Sequence, residues 1–216
     1  METLDTIAAR FDGRAPRYDE SALHVALAAA AARLAAEGLA GDDGLPRVLD
    51  VATGTGLVLR ALAERGALPE SPTPGAVVGL DASAGMLGVA RTHLTGVTWA
   101  QGDAQRLPFD DGAFDLVTCV TGLHLMADPA AALAEWRRVL AHGGRVVVAT
   151  FASDAPAGVP RDADDPHARV GTPELLAGLA DAAGLRVRRS ERWEHVVDGA
   201  DEADDVCLLT ELVPRA

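Results

Sequence analysis

The run Arg47-Val-Leu-Asp-Val-Ala-Thr-Gly-Thr-Gly-Leu57 constrains this chain more than any other stretch. Val48, Leu49 and Val51 read as a buried strand and Leu57 to Glu64 as a helix, with only small residues between them. Gly54 and Gly56 supply the left-handed backbone angles that so tight a turn requires, and they leave bare amides near a helix N-terminus where a ligand can approach. A phosphate-binding loop would close with Gly-Lys-Ser/Thr, whereas Gly56 is followed by Leu57 and Val58. The dinucleotide fingerprint needs a third small residue three places after its second glycine, and Leu59 stands there. A turn without a ligand is the plain alternative, but it accounts for neither Asp50 at the strand's end nor the spaced glycine pair.

A second apolar run, Ala76-Val-Val-Gly-Leu-Asp81, also ends in an acid. At the end of the second strand of a βαβ unit, such an acid accepts both hydroxyls of a ribose. The spacing from the turn exceeds the usual ~20 residues, and the proline-rich stretch Leu68 to Gly75 explains the surplus as an external loop. Asp81 as a simple cap for the helix begun by Ser83 is the competing reading, and both roles can coexist.

Strand and helix signals continue to alternate. Val97–Gln101 and Phe114–Val120 read as strands, and Pro129–Leu140 as a helix that Gly143-Gly144 ends. Arg145–Phe151 is a further strand, 152–171 a Pro- and Asp-rich loop, and 172–183 a helix. Residues 185–197 and, more weakly, 206–213 close the series as strands. This is the pattern of a doubly wound, Rossmann-like α/β fold, a mostly parallel sheet with helices on both faces. In such sheets ligands sit beyond the carboxyl ends of the strands, where Asp50, Asp81, Asp103 and Thr121 all fall.

Val48–Gly56, Gly79–Leu87, Gly102–Phe109, Phe114–Val117 and Arg138–Arg145 resemble, in order, the successive motifs of class I S-adenosylmethionine-dependent methyltransferases. Phe11-Asp-Gly-Arg-Ala-Pro-Arg-Tyr-Asp19 is similar to the N-terminal motif of the small-molecule branch, which includes quinone, biotin-pathway and natural-product methyltransferases. The resemblance implies a seven-stranded sheet whose last two strands form an antiparallel hairpin. It also implies one domain over 1–216, with a helical lid in 1–40, a cofactor-binding core in 47–151 and closing elements in 172–213.

It further implies that S-adenosylmethionine is the cofactor. Gly54 and Gly56 would face its methionine moiety, Asp50 would assist its ammonium, Asp81 would hold the ribose and Met86 would pack on adenine. Asp103 would accept the adenine amino group, with the amide of Ala104 completing recognition. Ala52, Thr121 and Tyr18 complete the set, Tyr18 by closing over the methionine end. Carboxylates suit a cofactor that carries an ammonium and a sulfonium, and a thioether packs well on an aromatic ring. An apolar residue in a first helical turn is also ordinary core, which is the alternative for Met86. A surface tyrosine is the alternative for Tyr18.

The rest of the composition narrows the setting. At 216 residues and 49% hydrophobic, the chain can bury one full core. A net charge of −13 argues against a nucleic-acid substrate, and the segment 121–126 lacks the Asn/Asp-Pro-Pro-aromatic motif of adenine and glutamine N-methylators. Cys119 and Cys207 have neither metal-ligand nor disulfide spacing, which fits reduced thiols in a cytoplasmic protein. The acidic start carries no secretory signal, and Ala22–Leu39, interrupted by His24, Arg33 and Glu37, reads as an alanine-rich amphipathic helix over the cleft and not as a membrane span. No metal is expected: Asp162–His167 lacks the calcium-loop spacing, and Asp201–Asp205 reads as a solvated turn.

The reading is therefore methyl transfer to an O, N or C nucleophile of a small soluble metabolite by in-line displacement. The chain departs from the quinone-type branch after Phe151, which argues against a lipid quinone as acceptor. His124 follows the fourth strand and, as an imidazole, is the candidate base, with a structural histidine as the alternative. The N-terminal helices and the loop 152–171 would form the lid. Two other classes retain the same motifs: an enzyme that binds the cofactor without consuming it, such as a cyclase or decarboxylase, and a non-catalytic binding subunit.

Overall fold

The computed structural model describes residues 2–39, 45–153, 166–196 and 205–215. Seven strands form one sheet in the order β3-β2-β1-β4-β5-β7-β6. They are β1 Val48–Val51, β2 Val77–Asp81, β3 Thr98–Gln101, β4 Phe114–Val120, β5 Leu140–Phe151, β6 Leu185–His195 and β7 Asp205–Pro214. The first five run parallel, and β7 is antiparallel to both β5 and β6. Six helices accompany them: α1 Leu4–Arg14, α2 Ala22–Ala36, α3 Leu57–Glu64, α4 Ala84–His93, α5 Pro129–Val139 and α6 Pro173–Ala182.

Successive residues of each central strand serve opposite faces. Val48, Val77, Leu116 and Val147 pack with α2 and α3, while Leu49, Val78, Val117, Val146 and Val148 pack with α5 and α6. The near-continuous burial of β1, β2, β4 and β5 follows from this double cover. The alanines of α2 serve that packing: Ala28, Ala31, Ala32 and Ala35 are buried against the sheet. The alanine-rich helix is thus a sheet-covering layer whose His24 and Ala28 also reach the cleft, and α1 lies at the cleft beside it.

Two boundaries differ from the sequence reading. Helix α5 stops at Val139, and β5 begins at Leu140, paired with Phe114, before the register shifts. Gly143-Gly144 therefore lies inside the strand: Gly143 has φ +78°, and a Cβ on Gly144 would come within 3.0 Å of the Ala141 carbonyl oxygen. The pair serves a ladder irregularity and not a helix stop. The acidic stretches 162–165 and 201–204, like most of the loop 152–171, lie outside the described residues.

The Trp99 ring on the edge strand β3 packs behind the glycine turn. A Cβ on Gly79 would lie 2.4 Å from Trp99 Cζ3 and 3.1 Å from Thr53 Cγ2, so this central-strand residue has no room for a side chain. Gly79→Ala is expected to cost about 1–3 kcal/mol through overpacking. Urea unfolding should show a lower midpoint at unchanged slope, partly restored by adding Trp99→Leu, and an unshifted midpoint would contradict this packing.

Candidate active site

The carboxyl ends of β1, β2 and β4 meet at one cleft. Ala52 and Thr121, just past β1 and β4, hold φ of +52° and +53°, a conformation costly for side-chain-bearing residues and concentrated at functional sites. Asp81, ending β2, ties the cleft together. Its Oδ2 accepts the Gly54 N–H at 2.8 Å, and its Oδ1 accepts the Ser83 N–H at 2.8 Å. Burial raises its pKa, and the amides of Ser83, Gly54 and Ala82 oppose that rise. Ser83 in turn caps α4, its hydroxyl accepting the Met86 N–H at 3.0 Å.

Above Asp81 lies a cavity of about 670 Å³, open to solvent. Met86, Asp103, Ala104 and Gln105 form one wall, Leu125 and Met126 another, and Leu4, Ile7 and Phe11 of α1 a third. The Asp103 carboxylate is held by Gln105, whose backbone N–H and side-chain amide donate to Oδ1 at 2.9 and 3.2 Å. Ala104 is fixed by its carbonyl, which accepts the Trp136 indole N–H at 2.8 Å.

A smaller cavity of about 340 Å³, lined in part by Tyr18, His24, Asp50, Ala52, Gly54 and Thr121, shares a wall with the first. Asp50 is 1% exposed and accepts the Thr53 and Thr118 hydroxyls, each at 2.6 Å. Burial pushes its pKa up to about 7 against these two bonds. Tyr18 lines this cavity beside Thr121 and is stacked on His24 at 4.6 Å between ring centroids.

The structure thus brings together ten residues singled out from sequence around one or both cavities: Tyr18, Asp50, Ala52, Gly54, Asp81, Met86, Asp103, Ala104 and Thr121 line them, with Gly56 directly behind the turn. Gly56 stands apart from the other nine. It lines neither cavity, and a Cβ there would lie 2.8 Å from Trp99 Cη2. Its side-chain-free α-carbon serves ring packing and a left-handed helix cap (φ +79°).

His124 lies away from both cavities. Its ring packs against His167 at 4.2 Å and Phe151 at 6.2 Å, and it contributes nothing to either cavity wall. Burial, reinforced by His167, Arg10 and Arg169, lowers its pKa to about 3, so it is neutral and a poor proton acceptor at neutral pH. Sequence reasoning missed the apolar residues of α1, and it missed His24 beneath Tyr18. The i, i+3, i+7 spacing of Leu4, Ile7 and Phe11 was the available signal for the former.

Among the described residues, the larger cavity is lined by two carboxylates, Asp81 and Asp103, and by no Arg or His. The smaller adds Asp50 beside His24. Such a lining repels phosphates and suits a cationic ligand that carries hydroxyls and an apolar ring.

Comparison with known proteins agrees. Residues 49–148 match the family model described as a methyltransferase domain. The chain is 40% identical over 149 residues to a demethylmenaquinone methyltransferase of Renibacterium salmoninarum, covering 68% of this chain and 59% of that protein. It is 42% identical over 147 residues to the demethylmenaquinone methyltransferase of Thermus thermophilus, covering 65% and 64%. The chain thus spans about 60% of the length of these relatives. A putative methyltransferase from Bacillus halodurans shares the fold at TM-score 0.65 and 22% identity, over 86% of this chain and 97% of that one.

In fold, and in sequence over residues 49–148, the chain is similar to the class I S-adenosylmethionine-dependent methyltransferases. The cofactor of this family, S-adenosylmethionine, fits the residues present. Carboxylates in the cleft would suit its ammonium and sulfonium, Asp81 at the end of β2 would suit its ribose diol, and the pocket of Met86, Asp103 and Ala104 would suit its adenine.

The raised pKa of Asp50 has a stability consequence. The folded group keeps its proton up to about pH 7, while the unfolded group releases it near 3.8. The stability it contributes is therefore full below pH 3.8 and is lost as pH rises toward 7, at up to about 1.4 kcal/mol per pH unit. Asp50→Asn should flatten the fall in stability between pH 5 and 7 seen by urea unfolding, and parallel profiles for both proteins would contradict this.

Proposed function

We propose that this chain transfers a methyl group from S-adenosylmethionine to a carbon of a small-molecule acceptor. The observation that carries the reading is the cleft itself: Asp81 at the end of β2, organising the glycine turn, below a cavity with Asp103 and Gln105 on one wall and apolar residues of α1 and Leu125–Met126 on the others. In this reading Asp81 accepts the ribose hydroxyls, Asp103 the adenine amino group, and the Met86 thioether packs on the adenine ring. The Gly54 turn and Asp50 receive the charged methionine end, and Tyr18, stacked on His24, covers it. Leu4, Ile7, Phe11, Leu125 and Met126 exclude water from the acceptor side.

The bound cofactor supplies an electrophilic methyl carbon, and the protein's part is alignment and exclusion of water. No proton-accepting role is assigned to His124. Carbon as the acceptor atom rests on a relative of Citrifermentans bemidjiense, 33% identical over 160 residues, that is named as a ubiquinone/menaquinone biosynthesis C-methyltransferase. The net charge of −13 supports a small molecule over a nucleic acid. The buried free thiols of Cys119 and Cys207 support a cytoplasmic setting, and among the described residues no helix is long and apolar enough to cross a membrane.

Incubation with methyl-labelled cofactor and a small-metabolite extract should yield a labelled product and S-adenosylhomocysteine in equal amounts. Product without S-adenosylhomocysteine would indicate an enzyme that retains its cofactor. By calorimetry, Asp81→Ala should weaken S-adenosylhomocysteine binding at least about tenfold, since charge-assisted bonds of about 1.5–3 kcal/mol are lost. Unchanged affinity would remove Asp81 from the site, and failure of the intact protein to bind would overturn the proposal.

A further inference from the structure

No residue of α1 is buried. Its apolar stripe faces the cavity, yet Leu4 remains 39% exposed, so the helix is not held in place by a packed core. Two carboxylates fasten it and the following turn, Ala15–Glu20, instead. In the last turn of α1, Asp12 Oδ1 accepts the Ser83 hydroxyl at 2.5 Å and the Gly85 N–H at 2.8 Å, at the N-terminus of α4. Next to Tyr18, Asp19 accepts the Thr55 hydroxyl at 2.5 Å and the Arg60 guanidinium at 2.5 Å, with His93 Nε2 at 3.9 Å.

Each fastening lands on a residue that adjoins a cofactor-site group. Ser83 donates its N–H to Asp81, and Thr55 lies between Gly54 and Gly56. Gly85 is a separate observation on the same contact. A Cβ there would come within 3.0 Å of both Asp12 Cα and Asp12 Oδ1, so the crossing of α1 over α4 requires residue 85 to lack a side chain.

We propose that Asp12 and Asp19 are positioning residues that clasp the segment 4–20 shut over the cofactor, so that cofactor exchange requires both clasps to release. The proposal rests on the cofactor assignment made above. Neither carboxylate lines a cavity. Asp12 acts through Ser83 on Asp81, and Asp19 acts through Thr55 on the glycine turn. With both closed, Phe11 and Tyr18 stay in the walls of the site; with either open, α1 has no buried residue of its own to hold it down, and the segment keeps only Ala15 and the Tyr18–His24 stack.

Two readouts test this. Arg10, Arg14 and Arg17 are trypsin sites within the segment. Without any ligand, Asp12→Ala, Asp19→Ala and Gly85→Ala should each speed native-state cleavage there at least about fivefold, as expected when local opening and not global unfolding exposes the chain. Asp12→Asn, which keeps an acceptor oxygen, should restore slower cleavage. By stopped-flow displacement, S-adenosylhomocysteine should dissociate at least about fivefold faster from the same variants, with association no slower. Gly85→Ala keeps both carboxylates and so tests the crossing if a carboxylate variant misfolds. Folded variants whose cleavage and dissociation rates stay at the wild-type values would overturn the clasp while leaving the cofactor assignment standing. A wild-type protein that binds no S-adenosylhomocysteine would instead fail the assignment itself.

Discussion

One carboxylate organises the cleft. Asp81 lies 27 residues after Gly54 in the chain, yet its two oxygens take the N–H of Gly54 and the N–H of Ser83. The turn after β1 and the start of α4 are thereby set against a single group at the end of β2. A partly buried carboxylate is costly unless it is hydrogen-bonded, and here the backbone amides of the glycine turn and helix start provide those bonds. The left-handed angles at Ala52 and Thr121, the cap on α4 and the placement of Met86 all belong to the same rim of β1, β2 and β4. A ligand with paired hydroxyls enters a site whose acid is already aimed, which lowers the ordering cost of binding.

Charge is distributed to the same end. The cleft holds Asp50, Asp81 and Asp103, while the arginines serve as multi-donor ties elsewhere. Arg138 donates to the carbonyls of Phe109 and Leu107 and to Glu135 and Asp111, fixing the loop before β4. Arg169 donates to the carbonyls of His124, Met126 and Ala127, holding the segment that forms the acceptor wall. Arg145, nearly buried beside Glu211, binds the carbonyls of Ala35 and Glu37 and anchors the end of α2. Guanidinium forks suit this work because one side chain satisfies several loop carbonyls at once. Among the described residues no arginine lines either cavity to oppose its acidic groups, which suits a sulfonium- and ammonium-bearing cofactor.

The alternation of apolar strands with helices was legible because every central strand is covered on both faces and reads as an uninterrupted apolar run. Asp50, Asp81 and Asp103 were legible because each closes or follows a strand, and that position fixes their location in an open parallel sheet. What local spacing could not reveal was contact across the chain. Gly56 was read from its turn, but the ring that excludes a side chain there comes from Trp99 on β3. His124 stands at the expected place in the chain, yet its ring direction is set by Phe151 and His167 from other segments. Gly143-Gly144 had the composition of a helix stop, and only the register shift opposite Phe114 and Leu116 gives it a strand role. The clasps of Asp12 and Asp19 span 71 and 36 residues, a separation that no periodicity reports.

The most direct test of the account is a crystal structure of the protein soaked with S-adenosylhomocysteine. The account predicts both ribose hydroxyls within hydrogen-bonding distance of the Asp81 carboxylate, adenine between Met86 and the Asp103–Ala104 segment, and the amino-acid end against Gly54 beneath Tyr18. A nucleoside bound elsewhere, or in this cleft with its ribose turned away from Asp81, would contradict it.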